Sequence, residues 1–380
     1  MTQCGDVGQK YSVHPGKRVK YFIIGGEEEE KKFESSKQEV ISCTVKRIKD
    51  ENALKDIIEQ LKNVSPILVT GSSGYLGSAI VQTLKEHDIQ VVGIDLVEAS
   101  TTDFIGCVSD IDFVRNASSE NCKSIIHTAA LHAPNLDFYS EQDYQRVNVE
   151  GTRNILSIAK EFQMKGIVFS STTSLMNTNE LKQQEKYEND SPVIIKDSVD
   201  YGTPRNIYGI TKKAAEKLCI EDRNNKIAIL RCSRFFVEDL YDTGAKPSSR
   251  NVQNSNGNTK ANEMLVGRRA SLEDVIMSHL VALDTLSKTK TSLNGNVIIG
   301  PLIISSISPL LKSSLENFIA PYRQLYESLD WSFPDHISRV YDSTNSWKVL
   351  SYTPKWDFAC LWEDYKKGQN LKENIELGRY

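Results

Sequence analysis

The 380-residue chain has no CxxC pair, and its seven cysteines (Cys4, Cys43, Cys107, Cys122, Cys219, Cys232 and Cys360) make an odd count. Neither a disulfide framework nor a cysteine-based zinc site is expected, and the cysteines read as reduced thiols in a cytoplasmic chain. No apolar run approaches the roughly 18 residues that a membrane span needs. The opening MTQCGDVGQKY lacks the basic and apolar regions of a secretory signal. A basic excess is also missing: 46 Lys+Arg face 50 Asp+Glu, for a formal net charge of −4. Nucleic-acid binding, which needs a basic stripe against the phosphates, is therefore not expected. No internal repeat is visible, which removes the solenoid architectures. What the chain does have is 39% hydrophobic residues, enough for a sizeable core. Its length predicts two or three units, or one large α/β domain with insertions.

Residues 1–65 read as a short N-terminal α/β extension of unassigned role. Val19–Ile24 and Val40–Val45 are strand-like, Gly25-Gly26 with Glu27–Glu30 reads as a solvated turn, and Ala53, Leu54, Ile57, Ile58 and Leu61 recur at helical spacing. Ser65-Pro66 marks a boundary, because the residue before proline resists helix. Beyond it, Ile67–Thr70, Gln90–Ile94, Ser124–His127, Gly166–Ser170 and Lys226–Leu230 are short apolar runs rich in β-branched residues. They alternate with helical patterns at 77–87, 141–164 and 207–223. Such alternation predicts a parallel sheet covered on both faces, a Rossmann-type doubly wound α/β fold over 66–235. The stretch 242–262 is too polar to pack and reads as a mobile insertion. Residues 236–380 form a smaller, mostly substrate-binding region, with a strand at Asn296–Ile299 returning to the core.

The first strand runs into Thr70-Gly-Ser-Ser-Gly-Tyr-Leu-Gly77 and then a helix. Gly71 permits the tight turn, Gly74 allows close approach of a pyrophosphate, and Gly77 lets the helix pack on the sheet. The helix N-terminus offers unpaired amides and a positive dipole end. Asp95 ends the next strand, where a carboxylate accepts from ribose hydroxyls and repels a 2′-phosphate. No Arg or Lys follows in Leu96-Val-Glu98. The expected cofactor is NAD rather than NADP.

Two further segments carry chemistry. Tyr208 and Lys212 stand four residues apart in a helical pattern, so the phenol and the ammonium share a face. A nearby ammonium favours the phenolate and makes proton transfer feasible. The bland alternative is a surface helix with a chance Y-x-x-x-K. The strand ending Ser170-Ser-Thr172 places hydroxyls at the carboxyl edge of the sheet, where Thr172 can hold a substrate oxygen beside Tyr208 or simply cap the backbone.

Together these motifs resemble the extended short-chain dehydrogenase/reductase family, the NAD-dependent epimerase/dehydratase group, over roughly residues 66 to 365. The resemblance implies nucleotide binding by Gly71, Ser73, Gly74, Tyr75, Leu76 and Gly77, with Asp95 at the ribose. It implies adenine contact by Asp110 and Ile111, and cofactor contact by Thr128, Ala129 and Ala130 of Ile126–Ala130. It also implies a site of Thr172, Tyr208, Lys212 and Asn148, in which Asn148 completes a proton relay. Tyr208 acts as acid/base, Thr172 binds the same oxygen, and Lys212 lowers the tyrosine pKa and grips the nicotinamide ribose. Ala270–Val275 and Arg339–Trp356 are similar to the family's late signatures. A homodimer through a helix pair that includes the Tyr208 helix is left open.

Departures narrow the reaction. Thr173 and Ser174 replace the acidic residues of sugar dehydratases, and Cys232-Ser-Arg234-Phe-Phe replaces an aromatic-Asn segment. Arg234 and Arg268 are candidate substrate-phosphate ligands, with a salt-bridged or solvated role as the alternative. His127 and His132 have no partners at metal spacing, so no metal is expected, and His132 is a candidate substrate contact. The polar stretch Asn177–Asp190 is placed to cover the site. The expected function is hydride transfer at a secondary hydroxyl or ketone of a small carbohydrate-like substrate, such as a nucleotide sugar. The alternatives are a simple dehydrogenase of a free sugar, sterol-like or other small alcohol, and a non-catalytic NAD(H)-binding regulator.

Overall fold

A computed structural model describes residues 51–119, 121–133, 136–187, 191–235, 257–290, 296–312, 320–328, 330–355 and 358. The strand-like runs at 19–24 and 40–45 and the acidic turn lie outside them. The described chain runs α1 (Glu51–Asn63), β1 (Ile67–Thr70), α2 (Tyr75–Glu86), β2 (Val91–Asp95), β3 (Phe104–Ile105), α3 (Ile111–Ser118) and β4 (Ser124–His127). Next come α4 (Glu141–Tyr144), a π-helical turn (Gln145–Glu150), α5 (Gly151–Glu161), β5 (Ile167–Thr172), α6 (Asn179–Tyr187), β6 (Val193–Ile195), α7 (Ile207–Glu221) and β7 (Lys226–Cys232). Last are β8 (Arg234–Phe235), α8 (Gly257–Leu265), β9 (Arg269–Ala270), α9 (Leu272–Lys288), β10 (Val297–Ile304), α10 (Arg323–Ser328), β11 (Arg339–Tyr341) and α11 (Thr344–Val349).

Seven strands form one parallel sheet in the order β10-β7-β5-β4-β1-β2-β3. The chain steps outward from β1 to β2 and β3, then returns to lay β4 on the other side of β1. That reversal opens a crevice at the carboxyl ends of β1 and β4, the place where doubly wound sheets bind ligands. Every residue of β1, β4 and β5 is buried, as required of strands covered on both faces. Each wholly buried Ile, Leu or Val there contributes roughly 1.5–3 kcal/mol.

The expected α/β alternation is present, with local differences. The helix foreseen over 141–164 is interrupted by the π turn, and β5 continues past Ser170 to Thr172. β10 likewise runs on to Ile304, because its partner β7 is long enough to pair with it. The end of the polar stretch 242–262 is not a loop. Residues 257–262 begin α8, where Ala261, Met264 and Leu265 recur at helical spacing and pack in a second cluster with Tyr326, Val340 and Phe358. Helix α1, placed with the extension by sequence, buries Ile57, Ile58 and Leu61 in the main core and packs against α9. Part of the polar stretch between Thr172 and Tyr208 folds as α6, and β6 then pairs with β11. Leu175, Leu181, Val193, Ile195 and Tyr341 make a third cluster there.

Candidate active site

The glycine loop is built from its own backbone. Gly71 sits at φ +73°, which L side chains rarely adopt. Its N–H donates to the Ile94 carbonyl (2.8 Å), and its carbonyl accepts from Gly74 N (2.9 Å). A Cβ at Gly77 would collide with the Gly71 carbonyl oxygen and lie 2.8 Å from Thr128 Oγ1. The turn, the start of α2 and the end of β4 therefore touch through bare backbone. Gly74 is the N-cap of α2 and provides no side-chain cap, which leaves the helix entrance to backbone amides. Ser73, Tyr75 and Leu76 lie in or directly after this turn.

Asp95 closes against the loop. Its Oδ2 accepts from Ser73 N (2.9 Å) and its Oδ1 from Val97 N (3.3 Å). Burial pushes the carboxyl up from its ordinary value, opposed by those hydrogen bonds. Asp110 is occupied locally: its Oδ1 caps α3, accepting from Asp112 N (3.0 Å) and Phe113 N (3.1 Å). Ile111 opens that helix, two strands away from the glycine loop.

The end of β4 is stitched by Thr70. Its hydroxyl accepts from Thr128 N and Ala129 N (3.1 Å each) and shares a 2.7 Å hydrogen bond with His127 Nδ1. The one hydroxyl hydrogen left goes to Nδ1, so Nε2 carries the ring proton, 3.2 Å from Thr152 Oγ1. Thr152 in turn donates to the Asn148 carbonyl (2.7 Å). Burial pulls the His127 imidazole well below its usual value. It is a satisfied core histidine, and among the described residues no cluster of three His, Cys, Asp or Glu has metal-binding placement. Ala130, buried, follows this pair of amides.

Asn148 lies in the π turn and is wholly buried. Its Oδ1 accepts from Leu131 N (2.7 Å), and its Nδ2 donates to Leu131 O (3.1 Å) and Thr211 Oγ1 (3.1 Å). It ties the loop after β4 to α7, one helical turn from Tyr208. The Tyr208 hydroxyl shares a hydrogen bond with Thr172, and Thr172 Oγ1 also accepts from Ser174 N (2.9 Å). The His132 ring lies against Tyr208, with centroids 5.2 Å apart, and its carbonyl accepts from Tyr144 (2.8 Å). Lys212 is fully buried, with Nζ 4.0 Å over the Phe169 ring and no hydrogen-bond partner among the described residues. Thr172, Tyr208, Lys212, His132 and Asn148 are thus brought to one place.

The charges there differ from the sequence expectation. Burial pushes the Tyr208 phenol well above its usual value, opposed by its hydrogen bond to Thr172. Burial also pulls the Lys212 amine down to about 7. Burial is the largest influence on both groups, and it raises the phenol rather than lowering it. Tyr208 is a neutral phenol at neutral pH.

Arg234 and Arg268 are both exposed. Arg234 Nη1 donates to Glu263 Oε1 (2.8 Å), and the other carboxylate oxygen is held by Arg269. Burial above all, then the charges of Lys212 and Arg234, lowers the His132 imidazole to about 3. Sequence reading passed over Glu216, which is buried and paired with Arg231 and Ser171. It also passed over Lys213, whose Nζ donates to Gly202 O (2.9 Å) ahead of α7. The helical spacing Tyr208, Lys212, Glu216 was the signal for the first.

The residues present fit a dinucleotide. A cradle of bare glycines, a carboxylate at the end of β2 and a buried amine with no hydrogen-bond partner among the described residues lie along the switch-point crevice. Comparisons agree. A model of the NAD dependent epimerase/dehydratase family matches residues 67–262, just over half of the chain. A UDP-glucose 4-epimerase of Halalkalibacterium halodurans is 31% identical over 198 residues, 48% of this chain and 53% of that protein. A 3 beta-hydroxysteroid dehydrogenase/Delta 5-->4-isomerase of monkeypox virus is 29% identical over 188 residues, 46% of this chain and 51% of that one. The chain spans about half the length of these curated relatives. The UDP-glucose 4-epimerase structure from Thermotoga maritima is similar in fold, with TM-score 0.53 and 18% identity over 82% of this chain and 98% of that one. So is a short-chain dehydrogenase/reductase superfamily protein from Agrobacterium tumefaciens with bound NAD, at TM-score 0.53 and 20% identity over 82% and 96%. At such identities the structures speak for the fold alone. The chain belongs to the NAD-dependent epimerase/dehydratase family.

Proposed function

We propose that this protein moves a hydride at a ring secondary alcohol or ketone, with a nucleotide sugar as the substrate. The observation that carries this reading is the Thr172–Tyr208 hydrogen bond beside the buried amine of Lys212. Bound NAD supplies the hydride acceptor and donor. The glycine loop would hold its pyrophosphate, Asp95 its adenosine ribose and Lys212 its nicotinamide ribose. Tyr208 as the phenol donates its proton to a ketone oxygen, and as the phenolate takes the proton of the alcohol in the reverse direction. Thr172 hydrogen-bonds the same oxygen and fixes its direction. Asn148 holds α7 against the loop after β4, which keeps the phenol in place.

A nucleotide sugar is favoured over a neutral alcohol by charge. One carboxylate, Glu263, is shared by Arg234 and Arg269, with exposed Arg268 adjacent. Three guanidiniums against one carboxylate leave a net positive patch suited to a diphosphate. The steroid reading draws on the viral hydroxysteroid dehydrogenase and on a Candida albicans sterol-4-alpha-carboxylate 3-dehydrogenase, 26% identical over 132 residues.

The test is a thermal-shift and turnover screen of UDP-glucose, UDP-N-acetylglucosamine and a 3β-hydroxysteroid with NAD present. The nucleotide sugars are expected to raise the unfolding temperature and exchange epimers without steady NADH accumulation. Stabilisation by the steroid alone, with NADH accumulating, would replace this reading by the dehydrogenase one. For the cofactor, Asp95→Ala is expected to weaken NAD binding roughly 10- to 100-fold, the worth of a charge-assisted hydrogen bond, and to narrow the preference over NADP. Calorimetric titration checks it, and tighter NADP binding by the unaltered protein would overturn the assignment of Asp95.

A further inference from the structure

Tyr208 and Lys212 share their helix face with a third group. Glu216 follows Lys212 by one more turn of α7 and is buried. Its Oε1 accepts from Ser171 Oγ and from Arg231 Nε (3.0 Å), and its Oε2 accepts from Arg231 Nη2 (2.8 Å). Arg231 is also buried, and its Nη1 donates to Asp197 O (3.1 Å). Ser171 and Arg231 are register partners in the β5–β7 ladder, and the next pair is Thr172 and Cys232. One carboxylate on the tyrosine helix therefore grips two adjacent strands a single residue before Thr172.

Stability is a poor reason for such an arrangement. Removing both charges from water costs several kcal/mol per ion, and an apolar pair of equal volume is often as stable. Its distinct product is geometry: a bidentate fork fixes direction as well as distance. We propose that Glu216 is a positioning residue for the reaction site, fastening the helix of Tyr208 and Lys212 to the strand end of Thr172 through Ser171 and Arg231. The inference rests on the reading of Tyr208, Thr172 and Lys212 given above.

A second effect makes it measurable. The titratable groups acting on or affected by Lys212 are Glu216 and Cys219 on its own helix, Cys232 of β7, His127 at the end of β4 and His132 after it. Burial holds both imidazoles neutral and pushes both thiols up. The Glu216 carboxylate is left as the charge that favours the Lys212 ammonium. NAD, an anion rich in hydroxyls, binds the ammonium form better, so its affinity falls as pH rises through the lysine pKa. Removing the carboxylate moves that fall to lower pH.

The experiment is calorimetric titration of NAD on both sides of neutrality. Glu216→Gln is expected to lower the midpoint of the pH dependence by roughly one pH unit. Because it leaves Arg231 buried without its counter-charge, the double variant Glu216→Met with Arg231→Met accompanies it. That variant is expected to unfold near the temperature of the unaltered protein and to show a smaller lowering of the midpoint, because the guanidinium that opposes the ammonium goes with the carboxylate. Ser171→Ala, which removes no charge, is expected to keep the midpoint and KM and to lose roughly 10- to 100-fold in kcat on the substrate found by the screen. Lys212→Met separates the two levels of argument. If it abolishes the pH dependence while both Glu216 variants keep the original midpoint and Ser171→Ala keeps full kcat, the role of Glu216 is overturned. If Lys212→Met itself keeps the dependence, the reading of the reaction site fails instead.

Discussion

Tyr208→Phe is expected to leave NAD affinity nearly unchanged and to lower turnover by about 100-fold or more, the usual worth of a positioned acid/base. The ring is retained, so its packing against His132 at 5.2 Å and its place in the core persist. Only the hydroxyl bonded to Thr172 is lost. Thr172 keeps its acceptor bond from Ser174 N, so the strand end should hold its shape. Folding cannot account for the loss if the variant unfolds at the original temperature. Steady-state turnover beside an NAD titration checks both parts, and unchanged turnover would remove Tyr208 from the mechanism. Burial keeps the phenol protonated, and the same penalty falls on the phenolate left by donation to a ketone and on the phenolate that takes a proton from an alcohol, so it favours neither direction.

Gly77→Ala carries the second large effect. The added methyl would meet the Gly71 carbonyl oxygen and Thr128 Oγ1, and neither can yield cheaply. Gly71 is held by its amide bond to Ile94 O and by its carbonyl bond from Gly74 N, while Thr128 Oγ1 donates to Thr70 O. Overpacking of this kind costs about 1–3 kcal/mol. The loop that must give way is the one proposed to receive the pyrophosphate. NAD affinity is expected to fall roughly 10- to 100-fold, as such an energy converts, with a lowered unfolding temperature. Calorimetric titration and thermal unfolding measure the two. A variant that binds NAD as tightly as the parent would show that α2 and the loop separate freely.

Much of this site could be read along the chain because its parts are local. The glycine turn lies within eight consecutive residues, strands β1, β4 and β7 are short β-branched runs, and Tyr208 and Lys212 are one helical turn apart. Nothing in Gln145–Glu150 announced a π turn, and nothing in 257–262 outweighed its polar neighbours until Ala261 met the cluster around Tyr326. Asp110 matched a family position, yet its Oδ1 is taken up by capping α3. The two arginines singled out by type turned out to differ. Both are exposed, but Arg234 is held by Glu263.

By itself the sequence determined the parallel α/β sheet, the glycine turn and the tyrosine–lysine helix, because spacing of a few residues sets turns, strands and helix faces without reference to the rest of the chain. The tertiary structure decided which groups meet across long separations: Glu216 with Ser171 and Arg231, Asn148 with Leu131 and Thr211, Thr70 with His127. It also decided their charges. A lysine brought to about 7 and a phenol pushed upward are consequences of burial, and burial exists only once the strands and helices have closed around them.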